Sequence, residues 1–490
     1  MKKRILGILI LMESNILLLT AVVSLLCGED DWKVFFLTAG ISIFLGILLR
    51  WIGSKDGHSR LTRADSFIIV SLSWIIFSVI GSIPFLLISR MDMASAFFET
   101  MSGFTTTGAT VIADIDGISC TLKFWRSITQ WMGGLGIVVF SFALIPVYEM
   151  KSNSIFSAEA TGIGLDKLRP KIGSTARRLL LIYIILTIAC GLLYWMGPMD
   201  GFDSLCHSMT TIATGGFSTH TASIGYYHSP YIEYVCSIFM LLASINFTLY
   251  YYISIRKTDV FLRNHEMHFF LKTVLCAVVL FCLLFLFTTG NVEAFGKFPD
   301  GIEDTFRTSL FHVSTCVTSS GFSAGKFDHV AWGAPFWMPT ILLMAVGGCA
   351  GSTAGGIKMV RILICFKNIS NEFRLLVHPR AVVAIRMGGG LIEEARIRKT
   401  LTFLFIYTTL VALSVIILTL FGNDINTAIG SSVSMLSNTG PATGNAGPAS
   451  NFAFMPPGCK WFMSLYMLIG RLEIFTFLLL FLPSFWKQKN

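Results

Sequence analysis

A short polar run, Thr105-Thr106-Thr107-Gly108-Ala109-Thr110, sits between two long apolar segments and returns three times in altered form. The returns are Ala213-Thr214-Gly215-Gly216-Phe217-Ser218, Thr318-Ser319-Ser320-Gly321-Phe322-Ser323 and Ser437-Asn438-Thr439-Gly440-Pro441-Ala442. Aligned on Gly108, Gly216, Gly321 and Gly440, the copies place Thr106, Thr214, Ser319 and Asn438 two residues earlier, with Thr107, Gly215, Ser320 and Thr439 between. Glu99, His207, His312 and Ser431 stand nine residues before the glycine. Asp92, Asp200 and Asp424 stand sixteen before, with Asp304 one place off. A pattern recurring about every hundred residues means that one unit was built four times.

The setting of that unit follows from composition. With 54% hydrophobic and 13% charged residues and a mean hydropathy of +0.70, the chain carries more apolar side chain than a water-facing surface tolerates. It belongs in a bilayer. The formal charge of +9 does not indicate nucleic acid, because the Lys and Arg residues lie in the connections between apolar runs, where they act as topology signals. Most of the eleven cysteines (Cys190, Cys236, Cys276, Cys282, Cys316 and Cys365 among them) lie within apolar runs and lack metal-ligand spacing. They read as small buried hydrophobes.

Met1-Lys2-Lys3-Arg4 precedes an apolar stretch over 5–27 that resembles a secretory signal, but its length and missing small-residue cleavage site favour a retained first helix. A second span over 32–52 follows, and this pair stands outside the repeat. Each repeat then reads as span, half-helix, polar run, span. The expected segments are 67–88, 93–103 and 124–147; 179–196, 200–212 and 231–255; 269–288, 303–317 and 336–366; and 401–420, 424–436 and 461–486. The middle segments are too short to cross a hydrocarbon core of about 30 Å and must return on the side they entered. The predicted fold is an all-α polytopic membrane protein: two N-terminal spans plus four helix–pore-loop–helix repeats around a pseudo-fourfold central pore, ten spans in all. The corresponding units are 1–60, 61–150, 151–260, 261–367, a basic linker over 368–398, and 399–490.

Lys151, Lys167, Arg169, Lys171, Arg177 and Arg178 fall on one side, with Arg256, Lys257, Arg263, the basic stretch 367–399 and both termini. Glu29, Asp30, Asp31, Asp114, Asp116 and the half-helix aspartates fall on the other, with Lys123, Arg126, Lys297, Lys326 and Lys460 as a minority. The positive-inside rule places both termini in the cytoplasm and the polar runs open to the outside.

An aspartate at the outer end of each half-helix can cap free N–H groups there and leave the partially negative C-terminus aimed at the membrane centre. Beyond it, a glycine able to take positive φ lets successive carbonyls face a common axis. Four such loops would replace the hydration shell of a cation with carbonyl oxygens. Non-helical backbone at that depth is tolerated only where it lines such a cavity. One polar run alone would read as an ordinary extracellular loop; four aligned copies do not.

These residues resemble the TrkH/TrkG/KtrB/HKT superfamily of potassium transporters, most closely its bacterial TrkH branch, which adds two spans before four helix–pore–helix units. The resemblance covers essentially the whole chain. It is carried by the four polar runs, by Arg126-Ser127-Ile128-Thr129-Gln130-Trp131-Met132-Gly133-Gly134, by Ala158-Glu159-Ala160-Thr161-Gly162, and by Gly347-Gly348-Cys349-Ala350-Gly351-Ser352-Thr353-Ala354-Gly355-Gly356-Ile357-Lys358. It implies K+ as the transported ion, held mainly by backbone carbonyls at Thr106, Thr107, Gly108, Thr214, Gly215, Gly216, Ser319, Ser320, Gly321, Asn438, Thr439 and Gly440. Relatives with serine at the first filter glycine tend to conduct sodium, so Gly108 favours potassium. Only the first glycine of the potassium-channel T-V-G-Y-G pattern is kept, which implies looser selectivity. The resemblance further implies a homodimer in the bacterial inner membrane, docked on a cytosolic nucleotide-binding TrkA-like regulatory ring that the basic stretch 367–399 would contact.

The run 347–356 interrupts the third repeat's last span with residues that a straight helix would not use. Such breaks mark unwinding toward a cavity; the alternative is close helix packing by small residues, the role expected of Gly133, Gly134 and Gly136. A nucleotide loop is excluded, since Ile357 separates Gly356 from Lys358 and Met359 replaces the required Ser or Thr. This chain is therefore expected to bind no nucleotide itself. The resemblance assigns Gly347, Gly348, Gly351, Ser352, Thr353, Gly355 and Gly356 to an intramembrane gate, beside Arg471 in the final span. An intramembrane arginine costs on the order of 2.5–3.5 kcal/mol to insert and faces a partner or a wet interior. Its options are a pore-facing barrier, an ion pair with Glu473, or bonds to broken-helix carbonyls. Glu99 and Asn246 are expected to bond locally, and His207 and His312 to share a packing role. The competing class, a membrane-embedded enzyme or an organic-solute carrier with a midplane site, would call for paired acids, a histidine base or inverted repeats. The repeats here run in one direction.

Overall fold

In the computed structural model, residues 2–55, 63–136, 172–288, 301–324, 333–380, 385–387, 390–483 and 486 are described. The expected motif 158–162, the inner end of the span 124–147, the basic residues Lys151, Lys167, Arg169 and Lys171, the loop lysines Lys297 and Lys326, and parts of the linker 368–398 lie outside them.

Helices α1 (Lys2–Leu26) and α2 (Trp32–Lys55) form an antiparallel hairpin. A Cβ on Gly7 would stand 2.6 Å from the Gly46 carbonyl oxygen, so small residues set how closely the two backbones approach. The first repeat is α3 (Arg63–Leu87), α4 (Met93–Phe104) and α5 (Cys120–Leu135). The second is α6 (Ile172–Trp195), α7 (Gly201–Ile212), α8 (Pro230–Ala243) and α9 (Phe247–Ser254), followed by the short α10 (Thr258–Leu262). The third is α11 (His265–Thr288), α12 (Ile302–Val317), α13 (Ala334–Val346) and α14 (Met359–Val377). The fourth is α15 (Glu394–Leu420), α16 (Ile425–Ser437), α17 (Pro457–Arg471) and α18 (Phe475–Leu478).

Among the described residues six helices are long and apolar enough to cross a membrane, or eight when each of two bent pairs is taken as one span. Two of the expected spans are bent. The span expected over 231–255 bends by 86° between α8 and α9, and the one over 461–486 bends by 110° between α17 and α18. Asn246 causes part of the first bend: its side chain caps α9 by accepting from Thr248 N at 2.8 Å. At the second, Glu473 and Ile474 adopt φ of +56° and +50°, which no continuing helix allows.

The half-helices close a circle. α7 packs on its own repeat's α8 and on α5 of the first repeat, and α12 packs on α13 and on α8 of the second. α16 packs on α17 and on α13 of the third, and α4 packs on α5 and on α17 of the fourth. Each half-helix therefore lies between its own second span and that of the preceding repeat, and the fourth repeat returns to the first. This is the pseudo-fourfold arrangement that the repeat predicts.

Candidate ion pathway

Asp92, Asp200 and Asp424 each cap a half-helix, accepting from the backbone N–H of Ser95 at 3.1 Å, Asp203 at 2.7 Å and Thr427 at 3.1 Å. The third repeat departs from the predicted cap. α12 starts at Ile302 behind Gly301, which offers no side chain, and Asp304 lies within the first turn, paired with Arg307. There it still complements the helix dipole.

All four half-helices end alike. The residue before each filter glycine donates its N–H five residues back, Thr107 to Ser102 O, Gly215 to Thr210 O, Ser320 to Thr315 O and Thr439 to Ser434 O, at 2.9–3.0 Å. The residue before that takes a left-handed turn, with φ of +51° at Thr106, +51° at Thr214, +50° at Ser319 and +56° at Asn438. These bonds form the Schellman ending of a helix, normally built on glycine. Holding a non-glycine residue there costs on the order of 1–3 kcal/mol, and such strain survives only where the surroundings over-determine it.

Two residues later φ is positive again, at +83°, +79°, +79° and +98° for Gly108, Gly216, Gly321 and Gly440. Here the four loops meet. A Cβ on Gly108 would lie 2.0 Å from Gly215 O, one on Gly216 1.9 Å from Ser320 O, one on Gly321 2.1 Å from Thr439 O, and one on Gly440 2.4 Å from Thr107 O. The contacts run first to second, second to third, third to fourth and fourth to first. The loops form a closed ring with room for no side chain at its glycines. Gly108, Gly216, Gly321 and Pro441 also line one common cavity beside the ring. Gln130, from α5, braces the second loop: Nε2 donates to Gly215 O at 2.7 Å, and Oε1 accepts from Phe217 N at 3.0 Å.

The position nine residues before the glycine acts from behind the ring. Glu99 accepts from Thr110 Oγ1 at 3.0 Å and from Val111 N at 2.9 Å. His207 Nε2 meets Ser218 Oγ, the residue equivalent to Thr110, at 2.9 Å. His312 turns to Thr340 Oγ1 at 2.8 Å. The two histidines thus take different hydrogen-bond partners where one shared packing role was expected, and Asn246 is a helix cap as described. In the loop beyond the first filter, Asp116 meets His220 Nδ1 at 2.6 Å and accepts from Thr221 N at 3.1 Å. Burial pushes its carboxyl up, but those hydrogen bonds and the His220 charge outweigh it and hold the group below the usual range.

Directly beneath the ring runs the interruption between α13 and α14. It is unwound, not a close-packed helix: Gly347, Gly351 and Gly356 take φ of +76°, +73° and +77°. It meets residues of the second, third and fourth repeats directly and is linked to the first through Arg471. Gly355 N donates to Ser319 Oγ at 2.5 Å, and Thr353 Oγ1 donates to Ile212 O at 3.1 Å. A Cβ on Gly355 would stand 2.0 Å from Ser437 O. Arg471, buried at the end of α17, donates Nη1 to Thr353 O at 3.0 Å and Nη2 to Gly133 O at 2.8 Å, tying the loop to the first repeat. One of these carbonyls, Thr353 O, belongs to the broken span and the other, Gly133 O, to the inner end of α5, while Glu473 receives Arg361 Nη2 at 2.6 Å. Gly133 and Gly134 serve close packing, with Cβ positions 1.9 Å from Phe104 O and 2.6 Å from the Tyr183 hydroxyl, whereas one on Gly136 would meet the Trp74 ring at an ordinary 3.5 Å.

Several supports carry no signal in the repeat pattern. Glu266 Oε1 accepts from Ala350 N at 2.6 Å. At the α8–α9 bend, Cys349 N donates to Ser244 O at 2.9 Å and Phe247 N donates to Gly351 O at 3.1 Å. The two broken spans thus clasp each other by main-chain bonds in both directions. A glutamate opening a span and an asparagine inside one are visible in sequence; that both serve the same loop is not.

Half-helices converging on a ring of loops, inside a multi-pass helical bundle, define the class: a membrane protein with one central pathway. A family model described as TrkH, cation transport protein, matches residues 32–488. The chain is 36% identical to the Trk system potassium uptake protein TrkH of Salmonella typhimurium, over 99% of both chains. It is 34% identical to the Trk system potassium uptake protein TrkG of Escherichia coli, over 98% of this chain and 97% of that one. The crystal structure of the potassium transporter TrkH from Vibrio parahaemolyticus matches with a TM-score of 0.87 at 32% identity, covering 99% of this chain and 98% of that one. The chain belongs to the TrkH family of cation transport proteins, which sets it among transporters and not among enzymes.

Proposed function

We propose that this chain takes up potassium across the bacterial cytoplasmic membrane, through a filter formed by backbone carbonyls at 106–108, 214–216, 319–321 and 438–440 and gated by the loop 347–356. One observation supports this above the rest: the four filter glycines each abut the next loop's carbonyl and return to the first. Four strands arranged in that way surround an ion with oxygens and leave no space for side chains. The αL residue and the glycine alternate with residues of negative φ, a pattern that turns successive carbonyls toward one side. The four half-helices end at the ring, so their dipoles favour a cation there.

The gate works by occupation. The loop 347–356 lies under the ring, and Arg471 holds it there while adding a positive charge on the ion's route. Displacing the loop opens the route. The names of the relatives support potassium as the substrate. Both termini face the cytoplasm in this reading, two chains form a homodimer, and a cytosolic nucleotide-binding ring bears on the basic linker to move the loop. The decisive test is ion flux into liposomes holding only the purified chain, with sodium and proton gradients varied separately. Potassium entry that Arg471→Ala increases is the expected result. A folded Arg471→Ala protein that passes no monovalent cation would sink the reading.

A further inference from the structure

Behind the ring the four repeats are not equivalent. Arg126 and Glu99, 1% and 0% exposed, form a buried ion pair with Nε and Oε1 at 2.9 Å. The pair grips two filter loops at once. Arg126 Nη1 donates to Ser218 O at 2.9 Å, just past the second filter glycine, and its guanidinium lies over the Phe217 ring at 4.1 Å. Nη2 donates to Thr110 Oγ1 at 3.3 Å, and that hydroxyl in turn bonds both Glu99 oxygens at 3.0 and 3.1 Å. Thr110 also receives Phe452 N on its carbonyl at 2.8 Å, which joins the fourth repeat to the same point. The equivalent position in the fourth repeat is Ser431, whose short side chain carries no charge.

We infer that Glu99 and Arg126 are positioning residues for ion selectivity, a charged strut that fixes the spacing between the first and second filter loops. The inference rests on the carbonyl-filter reading and deepens it. A carbonyl cage separates potassium from sodium only insofar as it resists shrinking onto the smaller ion. Charge-assisted, forked hydrogen bonds in a dry site are the stiffest non-covalent links available to a protein. The strut places that stiffness on the quadrant between repeats one and two. Among the described residues the Ser431 hydroxyl bonds no partner, so nothing equivalent to the strut braces the fourth loop from this position.

The test uses the full chain in liposomes under opposed potassium and sodium gradients, with thermal stability measured on the same preparations. The paired change Glu99→Gln with Arg126→Gln removes the charges without leaving one unmatched. Thr110→Val removes only the hydroxyl that links them to the loop, and serves where the paired variant does not fold. Each should raise the sodium-to-potassium permeability ratio about tenfold, as expected for loss of a charge-assisted bond, while potassium still passes. Ser431→Ala should move the ratio less than Thr110→Val does. An unchanged ratio in a folded Thr110→Val protein that passes potassium overturns the strut, as does a Ser431→Ala effect equal to it. Gly108→Ser is run alongside: if it too leaves the ratio unchanged, the filter reading itself fails, whereas a Gly108→Ser shift without a Thr110→Val shift removes the strut alone.

Discussion

The ring of four loops and the loop beneath it are built from the same residue types, glycine, serine and threonine in non-helical backbone, yet they are held in opposite ways. In the ring, four copies of one Schellman ending hold one another, each glycine against the next loop's carbonyl. In the loop 347–358 a single copy is held by unlike partners, among them Ser319, Ile212, Ser244, Glu266 and Arg471. A ring in which every member is supported by its neighbour has no member free to leave alone. A segment hung from separate anchors can be released by loosening a few of them. Composition is therefore no guide to how such a stretch is held; the pattern of partners decides it.

The sharpest way to break this contrast is to disturb the ring. Gly108→Ser puts a Cβ within about 2.0 Å of Gly215 O at a φ of +83°, and should lower the potassium-to-sodium preference by at least about tenfold, equivalent to about 1.4 kcal/mol. Bi-ionic flux in liposomes measures it. Next comes the loop's charged anchor. Arg471→Ala removes two charge-assisted bonds, each worth about 1.5–3 kcal/mol before relaxation, and should raise potassium flux severalfold with selectivity retained. A fall in selectivity in place of a rise in flux would put Arg471 in the ring's support and not in the gate's.

Gly355→Ala sets a methyl group against Ser437 O and should loosen the closed loop, raising flux about threefold, since clashes of this kind cost roughly 1–3 kcal/mol and are partly relieved by movement. Asn246→Ala removes the α9 cap at the clasp, a loss of about 1 kcal/mol. It should shift flux about twofold, read against wild type in the same vesicles. Least is expected from Asp116. Its folded-state carboxyl titrates below the usual range, so its contribution is present at neutral pH and is lost as pH falls through and below that range. The side chain is 47% exposed, so solvent screening holds the effect under about 1 kcal/mol. Thermal melts of wild type and Asp116→Asn should differ slightly at pH 7 and converge as the pH falls below the usual carboxylate range; a gap that widens on acidification would reverse the assigned sign.

Much of the local structure was legible in the chain. Asp92, Asp200 and Asp424 announce helix starts because a short acidic side chain can accept the first free N–H groups. The filter glycines announce positive φ because other residues avoid it. The non-glycine αL turns at Thr106, Thr214 and Ser319 were not legible as strained, since nothing local favours them; the ring holds them. The bend at 244–246 was hidden too, for its flanks are apolar and lack glycine or proline, and the one at 472–474 offers only Gly470 beside it, a residue that helices in membranes also use for packing. Asn246 and Glu473 read as polar residues within a span until the structure supplies their partners, Thr248 N and Arg361.

By itself the sequence determined the membrane setting, the four-unit plan, the half-helix length and the glycine at each turn, because composition, repetition and side chains a few residues apart carry each of these. Only the tertiary structure decided that the units close in order around one axis, that Arg471 grips Thr353 and Gly133, and that Arg126 spans two filter loops. Those contacts join backbone carbonyls to residues tens to hundreds of positions away. A carbonyl is the same group in every residue, so which one it faces is set by packing and not by local spelling.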